Sequence, residues 1–363
     1  MQTIVILVPG LFGTDEVTSG LRRSPALNQL RERSSLQRIR VETTSMPEGS
    51  YLGLRPDVAQ MPQGPLTVAA LGAEPPDRST HFHITPLSLE DGLVSPVAGS
   101  LTWDDLQVLW PLVEKLNTKT LTLLRGVDRD HALVWEGRGD LATTDPADLR
   151  AEWVKQMPEG DAEVLLRRLI DDSANLLDGI EWNDRRREEG LSPVSLLWPW
   201  GHGMRAKVPN LLLKRGQVAT VLSNSIRLQG LSRLAGYRHL PYQEMGRGLE
   251  TPFDWLAGEI QRHNQCIVLL DGPQEFRRRD QEEELDWWLR EFSYRLLQPL
   301  LDAQAVDSEI EITLIGTNQT EGLALTPAGT VAATNDPFDE RTLAEGTKPK
   351  ADLNSVVDEA LMP

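Results

Sequence analysis

The sequence is poor in the residues that build metal sites and disulfides. Its 363 residues include one cysteine, Cys266, which excludes an internal disulfide and any metal site built from cysteines. It has six histidines, and none follows His263. No apolar run approaches the roughly eighteen residues of a transmembrane helix, so we expect no membrane partner. The N-terminal run MQTIVILVPG lacks a basic lead and a cleavage site, which favours a buried strand over a signal peptide.

Positive charge is also scarce. Lys and Arg number 37 against 54 Asp and Glu, which gives a net charge of −17. Because nucleic-acid phosphates repel such a surface, we expect no nucleic-acid partner. With 40% hydrophobic and 25% charged residues, the composition is typical of a soluble globular chain. We therefore expect a cytoplasmic protein of one large domain or two ordinary ones.

The order of apolar patterns predicts an α/β protein with an inserted domain. Strand-like runs alternate with amphipathic helices in the C-terminal half, which favours a mostly parallel sheet with helices on both faces. We predict an α/β domain in two parts, 1–60 and 191–335, interrupted by a smaller α+β domain, 61–190. Residues 336–363 hold seven acids and three bases and are predicted to form a flexible acidic tail.

Three local patterns give sharper expectations. Thr102 can cap a helix that begins at Trp103, and Pro111 should kink or split that helix. Trp287 and Trp288 are neighbours on a predicted helix, where side chains point about 100° apart. We therefore expect one of these two tryptophans to be exposed, as interface anchors often are.

Five segments follow one another in a set order. They are YLGLRPDVAQMPQGPLTVAALGAEPPDRSTHFHITPLSLEDG (51–92), RGVDRDHALVWEG (125–137), the run from NDRRR to LAGY (183–237), CIVLLDGPQE (266–275) and ITLIGTNQT (312–320). The third contains Trp-x-Trp-Gly-x-Gly, a Lys-x-Gly turn and Gly-x-x-x-x-Ala-Gly. Together they resemble the archaeal-type cofactor-independent phosphoglycerate mutases of the alkaline phosphatase superfamily, over about residues 1–330. The resemblance implies a phosphatase-type sheet, substrate held between two domains, and an isomerase that uses two Mn, Zn or Mg ions.

The sequence departs from this family at the positions of the metal ligands. By the resemblance, the family's Asp and His positions fall on Pro9, Gln274, Arg278, Thr317 and Asn318. A further family histidine has no counterpart, because no histidine follows His263. Shifting the register does not create histidines, and Arg278 would place a cation where a cation should bind. We therefore predict that the metal site is lost and that the protein holds no metal cofactor.

Other polar residues are candidates only by their place in family-like segments. The nucleophile position falls near Thr44, Arg129 matches a family arginine near the substrate phosphate, and Arg185, His131, His202 and Arg278 are further candidates for ligand contact. Asp15 and Asp271 are weak alternatives for a metal site. Each has a structural alternative: a turn or cap, an ion pair, a buried histidine or a solvated acid.

Three hypotheses for function follow. The first is a non-catalytic binding or regulatory protein that takes a small phosphorylated or carboxylated ligand or a protein partner. The second is an active phosphoglycerate mutase or phosphatase whose site is rebuilt from Asp15, Asp271 and Glu275. The third is an interaction scaffold that uses the acidic tail and the helix of Trp287 and Trp288.

Overall fold

The computed structural model describes residues 1–12, 24–41, 48–55, 61–97, 101–149, 153–205, 207–240, 248–327, 349 and 351–362. Its strands are β1 Gln2–Pro9, β2 Ser34–Arg40, β3 Thr80–Glu90, β4 Leu93–Pro96, β5 Leu121–Val127, β6 Asp130–Trp135, β7 Leu141–Ala142, β8 Glu159–Gly160, β9 Leu196–Gly203, β10 Thr220–Leu222, β11 Arg238–Leu240, β12 Gln265–Leu269, β13 Ile310–Thr317, β14 Glu321–Pro327 and β15 Ala351–Asp352. Its α-helices are α1 Pro25–Glu32, α2 Glu48–Tyr51, α3 Gln63–Ala70, α4 Trp103–Val113, α5 Glu163–Leu177, α6 Glu181–Glu188, α7 Leu211–Arg215, α8 Ile226–Leu234, α9 Phe253–Ile260, α10 Gly272–Arg278, α11 Glu282–Glu291, α12 Gln298–Val306 and α13 Leu353–Ala360.

The chain divides into two units. The first comprises residues 1–60 and 208–363, and the second comprises residues 61–207. The sequence placed the end of the inserted part at residue 190, but β9 pairs antiparallel with β3 and so keeps residues 191–207 in the second unit. The pattern LLWPW is apolar enough for either sheet, so local sequence does not show to which unit this strand belongs.

The first unit is built on an eight-stranded sheet in the order β11-β10-β12-β1-β13-β14-β2-β15. Neighbouring strands run parallel from β11 to β13, and β14 runs antiparallel to both β13 and β2. β1 lies in the middle, with Ile4–Val8 buried as an apolar run that both faces of a covered sheet require. The mostly parallel α/β sheet predicted from the sequence is confirmed.

The helices that cover this sheet supply an aromatic core. Trp288 is fully buried, stacks on Phe292 at 5.4 Å between ring centroids and meets Phe253 edge-on at 5.2 Å. Trp287, its neighbour on α11, is 39% exposed. The expectation that one tryptophan of this pair is exposed is confirmed, because a helix turns successive side chains to different faces.

The C-terminal segment differs from the flexible tail that the sequence predicted. α13 buries Leu353, Val356, Val357 and Leu361, and β15 adds a short parallel pairing to β2. Its Asp358 accepts hydrogen bonds from Arg215, whose side chain is completely buried. The overall acidity of 336–363 hid this short amphipathic helix, which the apolar spacing within Val356–Leu361 only hinted at.

The second unit contains a five-stranded antiparallel sheet, in which β3 pairs with β4, β6 and β9 and β6 also pairs with β5. α4 and α5 share a buried apolar cluster with one face of this sheet, while α3 packs on β3 and β6. Thr102 caps α4 in a capping box with Asp105, as predicted. The helix continues through Pro111 to Val113, where a short 3₁₀ turn takes over, so it is not split at the proline.

Candidate functional site

The carboxyl ends of β12, β1 and β13 lie side by side in the first unit. Pro9, the last residue of β1, is in register with Thr317, the last residue of β13, and Leu7 is in register with Leu269 of β12. In open α/β sheets, ligands bind outside the carboxyl ends of the strands. This edge, which we call the carboxyl edge, is therefore the candidate site.

Gly10 brings α10 against the end of β1. Its φ of +72° is in the left-handed region, and a Cβ there would lie 2.5 Å from the Cα of Gln274. Both the backbone angle and the close approach require glycine. Gln274 therefore lies against the β1 turn, where the resemblance places a metal-binding aspartate.

A guanidinium group covers the backbone at the end of β1. Arg277 donates from Nε to the carbonyl of Gly10 at 2.7 Å and from Nη2 to the carbonyl of Leu11 at 3.1 Å. Its Nη1 lies 3.6 Å from a carboxylate oxygen of Glu282, and the side chain is 20% exposed. The positively charged side chain of Arg277 thus supplies hydrogen bonds to the two backbone carbonyls that directly follow β1.

Apolar side chains close over the end of β13. Leu11 and Phe12 are buried, and a Cβ on Gly316 would lie 2.8 Å from the ring of Phe12. The backbone N–H of Phe12 donates to the carbonyl of Thr317 at 3.4 Å. The side chains of Leu11 and Phe12 therefore pack directly against the end of β13 at Gly316.

Asn318 serves the turn between β13 and β14. Its side-chain oxygen accepts hydrogen bonds from the backbone N–H groups of Thr320 at 2.9 Å and Glu321 at 2.8 Å. Asparagine commonly stabilises turns in this way. The preceding Thr317 is 4% exposed.

Carboxylates near this edge are engaged with arginines or lie beside a buried phenol. Glu275 pairs with Arg279 at 2.7 Å, and Glu48 pairs with Arg227 at 3.1 Å. Burial raises the pKa of Tyr51, and the nearby carboxylates of Glu48 and Asp271 raise it further. Within the described ranges, no three His, Cys, Asp or Glu side chains come together in a group that could hold a metal ion.

The candidate residues of the second unit lie in separate surroundings. Arg129 is 38% exposed, donates to the carbonyl of Val97 at 3.4 Å and lies 3.7 Å from Asp128. Arg185 is 64% exposed on α6, with Glu181 at 4.0 Å.

The two histidine candidates of this unit are both held by neighbouring groups. His202 is half-buried, exchanges a hydrogen bond with Thr143 at 3.0 Å, and has a pKa lowered by burial. His131 is fully buried, and desolvation lowers its pKa to about 3. Among the contacts of the described residues, those of His131 and His202 involve neither Arg129 nor Arg185.

Two of the remaining candidates, Arg278 and Asp271, lie in or next to α10. Arg278 is exposed near the end of α10, and Asp271 is partly buried just before that helix. Asp15 and Thr44 lie outside the described residues. The sequence singles out Arg278, whereas in the structure its neighbour Arg277 turns inward, because the direction of each side chain depends on the helical phase of α10.

These features define an α/β fold with an inserted α+β unit, and solved structures of phosphoglycerate-mutase-like fold match it. The chain aligns with the cofactor-independent phosphoglycerate mutase of Thermoplasma acidophilum at a TM-score of 0.59 and 18% identity, covering 99% of this chain and 98% of that one. It aligns with a protein of Pyrococcus horikoshii at a TM-score of 0.70 and 14% identity, covering 99% and 97%. At these identities, the two comparisons establish the fold alone.

Curated relatives give the particular resemblance. The 2,3-bisphosphoglycerate-independent phosphoglycerate mutase of Methanosarcina mazei is 22% identical over 353 residues, which cover 93% of this chain and 87% of the relative. A phosphoglycerate mutase of the same kind from Methanothermobacter thermautotrophicus is 25% identical and covers 80% and 76%. The resemblance read from the sequence is confirmed: the chain is similar to phosphoglycerate mutases of this kind over most of its length. No family model matches it.

None of the helices in the described part of the chain has both the length and the apolar character to cross a membrane.

Proposed function

We propose that this phosphoglycerate-mutase-like protein is a non-catalytic binding or regulatory protein that has lost the two-metal site implied for its relatives. The observation that carries the proposal is the guanidinium of Arg277 at the end of β1. It donates to the carbonyls of Gly10 and Leu11, and its positive charge lies at the edge where the resemblance expects divalent cations.

The donor set at the carboxyl edge does not fit a pair of divalent ions. Two such ions close together need several hard anionic or imidazole ligands. In the described part of this edge, Pro9 has no ligand atom in its side chain, Gln274 is a neutral amide, and Asn318 already accepts two backbone hydrogen bonds. Without metals, a phosphoryl group at this edge has no divalent ion to align it with a hydroxyl nucleophile.

The hypothesis of a rebuilt catalytic site has less support. It needs carboxylates that are available to bind cations, yet Glu275 is paired with Arg279. Asp271 supplies one carboxylate beside the buried Tyr51, and Asp15 lies outside the described residues. One carboxylate makes a weak metal site, so this hypothesis ranks second.

The scaffold hypothesis also has less support in its original form. It relied on a free acidic tail, but the described part of that tail includes α13, whose apolar face is buried within the first unit. Trp287 is still partly exposed and remains a candidate contact for a protein partner.

A turnover assay tests the proposal. The purified full chain is incubated with 3-phosphoglycerate in separate reactions containing Mn²⁺, Mg²⁺ or Zn²⁺, beside the Methanosarcina mazei relative as a positive control. We expect formation of 2-phosphoglycerate by the control only. Turnover by this chain that depends on one of the metals, and that is abolished in Asp271→Ala, would instead establish the rebuilt site.

A further inference from the structure

Two side chains in the second unit carry buried N–H donors without acceptors. Arg125, on β5, has Nε and Nη2 buried and without a hydrogen-bond partner in the described structure. His131, on β6, is completely buried, and its Nε2 has no partner there either. An unsatisfied buried donor destabilises the folded state, and more so when it is charged. Three such donors on two adjacent strands therefore call for an explanation.

The hydrogen bonding of His131 shows which ring nitrogen carries the proton. Nδ1 accepts a hydrogen bond from the backbone N–H of Gly126 at 3.0 Å, so the proton of the neutral ring resides on Nε2. The pKa of His131 is lowered to about 3, mainly by burial and in part by the charge of Arg125, while the backbone of Asp128 opposes the shift. His131 is therefore neutral at pH 7, with Nε2–H as a donor.

The two side chains share one face of the sheet. The β5–β6 register is irregular between Leu124, which pairs with Ala132, and Val127, which pairs with Asp130, so Arg125 and His131 both lie within this irregular stretch. Trp103 and Trp110 lie two turns apart on α4 and cover the pair. The guanidinium carbon of Arg125 is 4.1 Å from the ring centroid of Trp103, and the ring of His131 is 4.9 Å from that of Trp110.

The surrounding acid does not satisfy these donors. Asp128, on the β5–β6 turn, accepts a hydrogen bond from the backbone N–H of Leu101 at 2.8 Å and lies 3.7 Å from Arg129. A guanidinium fork matches the oxygens of a carboxylate or phosphate, and a neutral N–H can donate to the same group. A charged acceptor with two or more oxygens would satisfy all three donors.

We propose that Arg125 and His131 form a binding site for a small oxyanion, a phosphate or carboxylate group, beneath Trp103 and Trp110. Trp103 is 65% exposed and forms the outer wall, while Trp110 is buried and forms the inner one. The site lies within the second unit and uses no residue of the carboxyl edge. Its test is therefore independent of whether the first unit binds metal.

Calorimetric titration of the full chain with inorganic phosphate, and separately with acetate, tests the site. Arg125→Met removes the fork, and His131→Phe removes Nε2–H while keeping a ring against Trp110. Arg168→Met is the matched control, because it removes one arginine of the same unit whose side chain is 77% exposed on α5. Circular dichroism establishes that each variant is folded.

We expect wild type and the control to bind with the same affinity, and Arg125→Met to bind about tenfold more weakly or worse. His131→Phe should also weaken binding. Stronger binding of phosphate or of acetate identifies which oxyanion the site prefers. Without added anion, Arg125→Met should melt at or above the wild-type temperature, because an unpaired donor is removed, and this order should reverse in phosphate. Absence of saturable binding of both anions, or equal affinity in Arg125→Met, would overturn the proposal.

Discussion

At the scale of single residues, Arg277 distinguishes this chain from what its resemblance implies. Its two hydrogen bonds to the carbonyls of Gly10 and Leu11 are charge-assisted and largely buried. We expect Arg277→Met to lower the free energy of unfolding by about 1–3 kcal/mol, measured by urea denaturation. Arg278→Met, one position along the same helix and exposed, should change it by less than about 0.5 kcal/mol.

Arg277→Met also tests whether a divalent metal ion can take the place of the guanidinium group at the carboxyl edge. If the carboxyl edge lacks ligands for divalent cations, Mn²⁺ should not restore the stability of Arg277→Met. Recovery of wild-type stability in Mn²⁺ would mean that the edge still binds metal once the guanidinium is removed.

Buried histidines should make stability depend on pH. Burial is the main cause that lowers the pKa of both His81 and His239 to about 4, with Arg205 and Arg233 respectively adding to the shift. Unfolded histidine titrates near about 6.5, so the unfolded state binds more protons between about pH 6.5 and 4. The contribution of each residue is therefore present above about pH 6.5 and is lost as the pH falls.

The expected loss can be measured on one of these residues. Between about pH 7.5 and 5.5, each such histidine should remove about 1.4 kcal/mol from the free energy of unfolding. In His239→Leu, the decrease over this interval should be smaller by about that amount than in wild type, as followed by urea unfolding at each pH. Equal slopes in the two proteins would contradict the lowered pKa.

At the scale of elements, ion pairs of Asp358 add to the apolar packing that holds α13 in the first unit. Arg215 donates to Asp358 at 2.7 and 3.1 Å and to the carbonyl of Leu52 at 2.9 Å, and it also contacts the hydroxyl of Tyr237. Desolvation alone would raise the pKa of Asp358, but the hydrogen bonds and charges of Lys214 and Arg215 outweigh it and lower the pKa.

Removing the charge of Asp358 leaves a buried guanidinium without its counter-charge. Since the side chain of Arg215 is 0% exposed while that of Asp358 is 28% exposed, Asp358→Asn should cost about 2–3 kcal/mol of stability. Glu359→Gln, which changes the adjacent exposed acid, is the control and should be nearly neutral. Amide hydrogen exchange should show faster exchange in α13 of Asp358→Asn; unchanged exchange and stability would mean that the pair does not hold this helix.

Elements with strong local signals could be predicted from the sequence, and those defined by distant partners could not. The apolar run of β1 and the Thr102 cap of α4 are local, and the structure has both. β9 lies in a different unit from the predicted one because its partner β3 is more than 100 residues away. In the sequence, α13 shows only as a short amphipathic pattern within Val356–Leu361, because Arg215, which pairs with its Asp358, is 143 residues away. The inward turn of Arg277 likewise depends on the contact of α10 with Gly10.

At the scale of the whole molecule, resemblance and chemistry give different kinds of information. The order of the five segments predicted a fold that the structural comparisons confirm over nearly the entire chain. Function depends instead on a few side chains at one edge of one sheet, and fold similarity does not transfer those side chains. The proposed loss of catalysis must therefore be tested by measuring metal binding at the carboxyl edge.

Metal stoichiometry is the measurement that tests this proposal most directly. The full chain is purified without chelator, incubated with Mn²⁺, Zn²⁺ and Mg²⁺, freed of unbound ions and measured by elemental analysis, with the Methanosarcina mazei relative treated in parallel. We predict no stoichiometric metal in this chain. Two bound metal ions per chain would contradict the account, because they would require a ligand set that includes residues beyond those described at the carboxyl edge.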